Sequence, residues 1–134
     1  MNNQLLLVSA QPKLYFLHQK LLGEHGVKMN IVASAVEAVD FLDRAQKLKF
    51  KVGLVLVDLQ QGPFHGLELA AELVSQVDWP SLKMIAVGHL SLDVTGFKQT
   101  DFQNYGFEKY IDFADLTPPR LLEEATRNGI SVLV

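Results

Sequence analysis

Short apolar runs alternate along this chain with segments whose apolar residues recur every three or four positions. Leu5-Leu6-Leu7-Val8 is the first run, ended by Ser9-Ala10-Gln11-Pro12. Leu14, Leu17, Leu21 and Leu22 then fall at helical spacing, predicting a helix with those leucines inward and a stop at His25-Gly26. Met29 to Val32 is the second run, and Ser34 is placed to cap a helix carrying Ala38, Phe41, Leu42 and Ala45 on one face. Val52 to Val57, the most apolar run, ends in Asp58 and leads into the loop Gln60 to Gly66. Leu67, Ala70, Ala71 and Val74 predict a third helix, and Trp79-Pro80 breaks the chain before Met84-Ile85-Ala86-Val87. Gly88 and His89 begin the next loop. One helix is expected between Asp93 and Tyr105, with Phe97, Phe102 and Tyr105 as its face. Tyr110 to Phe113 reads as a fifth strand, and Thr117-Pro118 opens a last helix with Leu121, Leu122 and Ala125 inward.

Continuous apolar runs of this length fit strands covered on both faces. Connections of helix length make neighbouring strands parallel. The expected fold class is therefore α/β, a doubly wound five-stranded parallel sheet with helices on both faces. The 134 residues read as a single domain, with a core from about residue 4 to 128 and an apolar tail over 129–134. In such sheets chemistry gathers beyond the carboxyl ends of the strands. That edge comprises Ser9-Ala10, Ser34, Asp58, Gly88-His89 and Phe113.

Composition narrows the chemistry. With no cysteine, the chain has no disulfide, no thiolate metal ligand and no thiol nucleophile. A net charge of −3 argues against nucleic acid as a partner. No apolar run approaches a membrane span, and the N-terminus has neither the basic start nor the length of a secretion signal. A cytoplasmic location is expected.

Val55-Leu56-Val57-Asp58-Leu59 followed by Gly66-Leu67-Glu68-Leu69 resembles the receiver domain of bacterial two-component response regulators. Receivers place glycine eight residues and an acid ten residues beyond their phosphoacceptor aspartate, as Gly66 and Glu68 stand to Asp58. Ile85-Ala86-Val87 looks like the fourth strand, Gly106 to Ile111 like the approach to the fifth, and Thr117 to Ala125 like the final helix. The resemblance runs from about Leu5 to Asn128 and implies a flavodoxin-like sheet in the order 2-1-3-4-5. It also implies that Asp58 is the acceptor position and Tyr110 the aromatic switch position.

The remaining positions implied by the resemblance depart from the family. The acidic pair falls at Ser9 and Ala10, the hydroxyl residue at Gly88 and the lysine at Phe113. Four of five catalytic positions are thus replaced. Magnesium wants oxygen ligands, and the acidic pair would have supplied them. A unit-charge interaction near 4 Å is worth about 4 kcal/mol at an effective dielectric near 20. Losing both Mg²⁺ and the ammonium would slow phosphoryl transfer by orders of magnitude, at about 1.4 kcal/mol per decade. The expected molecule is a pseudo-receiver: non-enzymatic, without cofactor or Mg²⁺, acting through protein–protein contact. A slowly phosphorylated Asp58 and a ligand- or metal-sensing domain are the alternatives.

Because Gly88 has no side chain, the Tyr110 ring is expected to be held inward, against the alternative of an exposed ring. His65 and His89, with Asp58, are residue types that bind transition metals, though no ligand spacing supports a site. Ser9 lacks a nucleophile elbow and reads as a turn residue. Its loop also lacks the glycines and hydroxyls that cradle a phosphate. Phe113 with Phe64 and His89 is expected to plug the vacated lysine site. His18 and His25 are expected to face solvent. Lys98, Gln99, Lys109, Tyr110, Pro119 and Arg120 would form the partner face, with a second copy of the chain as one candidate partner. The tail, Gly129 to Val134, is expected to pack on the domain, to pair with another chain or to begin a region cut away.

Overall fold

The computed structural model describes residues 2–59 and 82–133. Strands β1 (Gln4–Val8), β2 (Lys28–Val32), β3 (Val52–Asp58), β4 (Met84–Gly88) and β5 (Lys109–Asp112) form one sheet in the order β2-β1-β3-β4-β5. Every pairing is parallel, with Leu6 opposite Asn30 and Val55, Leu56 opposite Ile85, and Ala86 opposite Tyr110. This is the doubly wound, flavodoxin-like order the sequence led us to expect.

The alternation of side chains along each strand divides the core in two. Leu6, Val8, Val55, Val57, Met84, Ala86 and Tyr110 point to one face. There they meet α2 (Ala35–Leu48), through Ala38, Leu42 and Ala45, and Phe102 of α4 (Gln99–Asn104). Leu5, Leu7, Leu54, Leu56, Ile85, Val87 and Ile111 point to the other. That face is closed by Leu22 of α1 (Phe16–Glu24) and by Leu121 and Ala125 of α5 (Pro118–Arg127). Ser34 caps α2 by accepting from the Glu37 amide, and Thr117 caps α5 by accepting from the Arg120 amide, as residues of these types at N-caps do.

Four expectations change. A short helix α3 (Leu92–Thr95) and α4 stand where one helix was expected, because Gly96 adopts φ +77, a left-handed value that ends α3. The fifth strand runs from Lys109 to Asp112, and Phe113 instead opens a 3-10 turn, Phe113–Asp115, capped by the Asp112 carboxylate. Along the 3-10 turn Pro12–Tyr15 and the α1 helix that follows it, the inward stripe is Tyr15, His18 and Leu22, while Leu14 and Leu17 face outward. His18 is therefore buried rather than solvent-facing; His25 is half-buried, its Nδ1 bonded to the Leu133 carbonyl.

The third helix expected at Leu67 to Val74, the loop with Phe64 and His65, and Trp79-Pro80 lie outside the described residues. The tail packs on the domain. Ile130 joins the core, the Ser131 amide donates to the Asn2 carbonyl, and the Leu133 amide donates to the His25 carbonyl.

Candidate functional site

β3 delivers Asp58 to the carboxyl edge of the sheet, between the ends of β1 and β4. Its side chain is fully covered. Oδ2 accepts from the Tyr15 hydroxyl at 2.8 Å and from Ser9 Oγ at 3.2 Å. Oδ1 meets His89 Nε2 at 2.9 Å. Ser9 is itself fixed, since its Oγ accepts from the Gln11 amide at 3.1 Å and its own amide donates to the Val32 carbonyl. A carboxylate satisfied by side chains thus replaces the solvated or loop-bonded group that is the simplest reading of a lone aspartate.

An aromatic lid lies over these bonds. The Phe113 ring stacks on His89 at 5.0 Å and meets Tyr15 edge-on at 5.3 Å. His18 packs 5.4 Å from Tyr15, and its Nε2 bonds the Leu116 carbonyl. The ring of Phe113 stands in the position that the resemblance assigns to a lysine. Burial, then the Asp58 charge and hydrogen bond, push the Tyr15 phenol far above its ordinary value. Tyr15 therefore remains a protonated donor.

Beside this pocket, Tyr110 lies over Gly88. Tyr110 is 5 % exposed, and a Cβ at Gly88 would collide with its hydroxyl. The hydroxyl donates to the Leu90 carbonyl, and Phe102 packs against the ring at 4.7 Å. Burial, with the charges of Asp112 and Asp58, raises the Tyr110 phenol as well. Gln99 clamps the residue from outside, its side-chain amide pairing with both the N–H and the C=O of Tyr110. Because its ring is buried, Tyr110 is not part of an exposed partner face, and Gln99 is committed to its backbone.

The fold brings Ser9, Asp58, His89 and Phe113 together and sets Gly88 and Tyr110 beside them. Ala10 is exposed and takes no part, and His65 lies outside the described residues. Among the described residues no group of three or more potential metal-binding side chains occurs. The positions that the resemblance assigns to magnesium offer one carboxylate, with both oxygens engaged by hydroxyls and an imidazole. Sequence reasoning missed Tyr15 and His18. Their spacing with Leu22 was visible, but the all-leucine stripe one residue away gave the stronger apolar signal.

No protein-family model matches the chain, and no curated protein matches it. Solved structures do. The response regulator receiver domain protein (CheY-like) from Methanospirillum hungatei aligns with TM-score 0.72 at 20% identity, covering 95% of this chain and 93% of that one. The response regulator receiver protein from Burkholderia phymatum aligns at 0.69 and 16% identity, over 98% of both chains. A two-component response regulator from Clostridium difficile aligns at 0.69 and 14% identity, over 94% of both. The fold is that of receiver domains. Among the described residues no helix is long and apolar enough to cross a membrane.

Proposed function

We propose that this chain is a pseudo-receiver, a signalling module that acts through protein–protein contact in the cytoplasm of a bacterium, without phosphorylation at Asp58 and without Mg²⁺. The covered Asp58 carboxylate carries this reading. Phosphoryl transfer to an aspartate needs an exposed oxygen lone pair in line with the phosphorus, and a cation to meet the growing charge on the phosphoryl oxygens. Both Asp58 oxygens are instead engaged within the chain, and Phe113 stands where the family's ammonium would reach.

The loop after β4 links the acid to the Tyr110 ring directly. His89 ties it to Asp58, and the next residue, Leu90, accepts the Tyr110 hydroxyl. One loop thus connects the acid to the buried ring with no added group. The surface of α4, β5 and α5, where Lys98, Tyr105 and Pro119 are exposed, is then held in one permanent arrangement for a protein partner.

Acetyl phosphate with Mg²⁺ tests the reading. Intact-mass measurement should show the unmodified chain. An adduct of about 80 Da that disappears in Asp58→Asn would overturn the proposal.

A further inference from the structure

We infer that both open edges of the sheet are closed to strand addition by glutamine side chains, Gln99 foremost, so that a partner protein on the β5 side meets side chains and does not extend the sheet. In the order β2-β1-β3-β4-β5, the outer flanks of β2 and β5 have no neighbouring strand. An unpaired row of N–H and C=O groups is a template for any extended chain, a partner's or a second copy's.

On β5 that row centres on Tyr110, and both of its backbone groups are taken by one side chain. Gln99 Oε1 accepts from the Tyr110 N–H at 2.9 Å, and Gln99 Nε2 donates to the Tyr110 carbonyl at 3.0 Å. A side-chain amide offers the same acceptor and donor as a peptide group, so Gln99 supplies what an added strand would supply. One turn along α4, Gln103 Nε2 donates to the Glu108 carbonyl just before β5, a longer contact at 3.4 Å. At the opposite edge Gln19 of α1 donates to the Met29 carbonyl of β2 at 2.9 Å.

An incoming strand must break both Gln99 bonds at Tyr110 to form two of its own, so it gains nothing there. The guard is anchored from beneath: Phe102, between Gln99 and Gln103 on α4, is fully buried, while both glutamines are exposed. β5 is also short, four residues with Lys109 and Asp112 at its ends, and short charged edges discourage pairing. A partner on this flank is left with exposed side chains such as Lys98, Tyr105 and Pro119. The guard operates whether or not Asp58 is modified, since none of its bonds reaches that residue.

Gln99→Met tests this, because methionine keeps the length of the side chain and removes both hydrogen bonds. Sedimentation velocity and hydrogen exchange at the Tyr110 amide are read at about 10 μM and about 500 μM chain. At the lower concentration that amide should exchange about tenfold faster in Gln99→Met than in wild type. At the higher concentration the variant should self-associate beyond wild type and recover protection at Tyr110 as strands pair. Gln99→Lys also removes the amide but sets a charge at the edge. It should expose the Tyr110 amide equally and sediment as wild type does. Gln99→Met that sediments like wild type at both concentrations would overturn the inference. So would a Tyr110 amide that stays fast in the associated state, or a Gln99→Lys variant that associates as strongly as Gln99→Met, since loss of stability would then be the cause.

Discussion

Asp58 and Glu124 are both carboxylates with fully covered side chains, and they are stabilised in opposite ways. Glu124 on α5 is surrounded by cations: Lys109 Nζ reaches both oxygens at 3.1 Å, Arg120 Nε lies at 3.2 Å and an Arg127 guanidinium nitrogen at 3.3 Å. Asp58 is held by two hydroxyls and one imidazole. The donors at Glu124 carry three positive charges, while those at Asp58 carry at most one. Burial raises the Glu124 carboxyl, but the hydrogen bonds and charges of Lys109, Arg120 and Arg127 outweigh it, so the group sits below its ordinary 4.5. The contrast separates two uses of a covered acid. One fastens α5 to β5 by charge, and the other organises a hydroxyl and aromatic cluster at the carboxyl edge of the sheet.

The largest expected effect comes from removing the acid that its neighbours need most. Glu124→Gln leaves Lys109, Arg120 and Arg127 crowded without a counter-charge. Those cations reach solvent, so the loss should be about 2–3 kcal/mol, short of the cost at a deep pair. Urea unfolding measures it; a loss below that of Asp58→Asn would break the contrast. The pH dependence has a definite sign. A depressed folded-state pKa contributes stability that is fully present above the ordinary 4.5 and is lost as pH falls through the lower folded value. Glu124→Gln should therefore flatten the acid limb of the stability curve.

Tyr15→Phe comes next, at about 1.5–2 kcal/mol, because it removes a donor to a buried carboxylate. The raised Tyr15 phenol reverses the sign of the pH effect. Its contribution is complete below pH 10.0 and is lost as pH rises above it toward the folded value. Spectrophotometric titration of Tyr15→Phe against wild type should show that the wild-type phenol ionises only as the fold opens. Asp58→Asn should cost about 1 kcal/mol, since an amide oxygen still accepts from Tyr15 and Ser9. Adding Tyr15→Phe to that background should cost less than in wild type, and equal costs would mean that the two groups are uncoupled. The smallest effect is that of salt. Raising NaCl to about 1 M should weaken the solvent-reaching Glu124 cluster by about 0.5 kcal/mol and leave the Asp58 network unchanged, as Glu124→Gln and Asp58→Asn backgrounds would separately report.

Much of this was legible in the order of residues. The five strands follow from runs of four to six residues, and Ser34 and Thr117 announce their helices because a cap is local chemistry. The sheet order is implied by the receiver resemblance that Asp58, Gly66 and Glu68 carry, and the strand ends of a parallel sheet place Ser9, Asp58, Gly88 and Phe113 on one edge. The break at Gly96 was written in the sequence too, yet the aromatic positions on either side suggested a single helix.

What tertiary structure alone decided is which face of α1 turns inward and what encloses Asp58. Apolar periodicity places Leu14, Leu17, Leu21 and Leu22 inward and passes over Tyr15 and His18, because it counts transfer from water and assigns a tyrosine hydroxyl only a cost. Once β3 carries a covered carboxylate, that hydroxyl becomes the donor the acid requires, and Phe113 packs beside it. Periodicity is a property of neighbouring positions. The need of a buried charge for a partner is set by residues more than forty positions away in the chain, as Tyr15 is from Asp58.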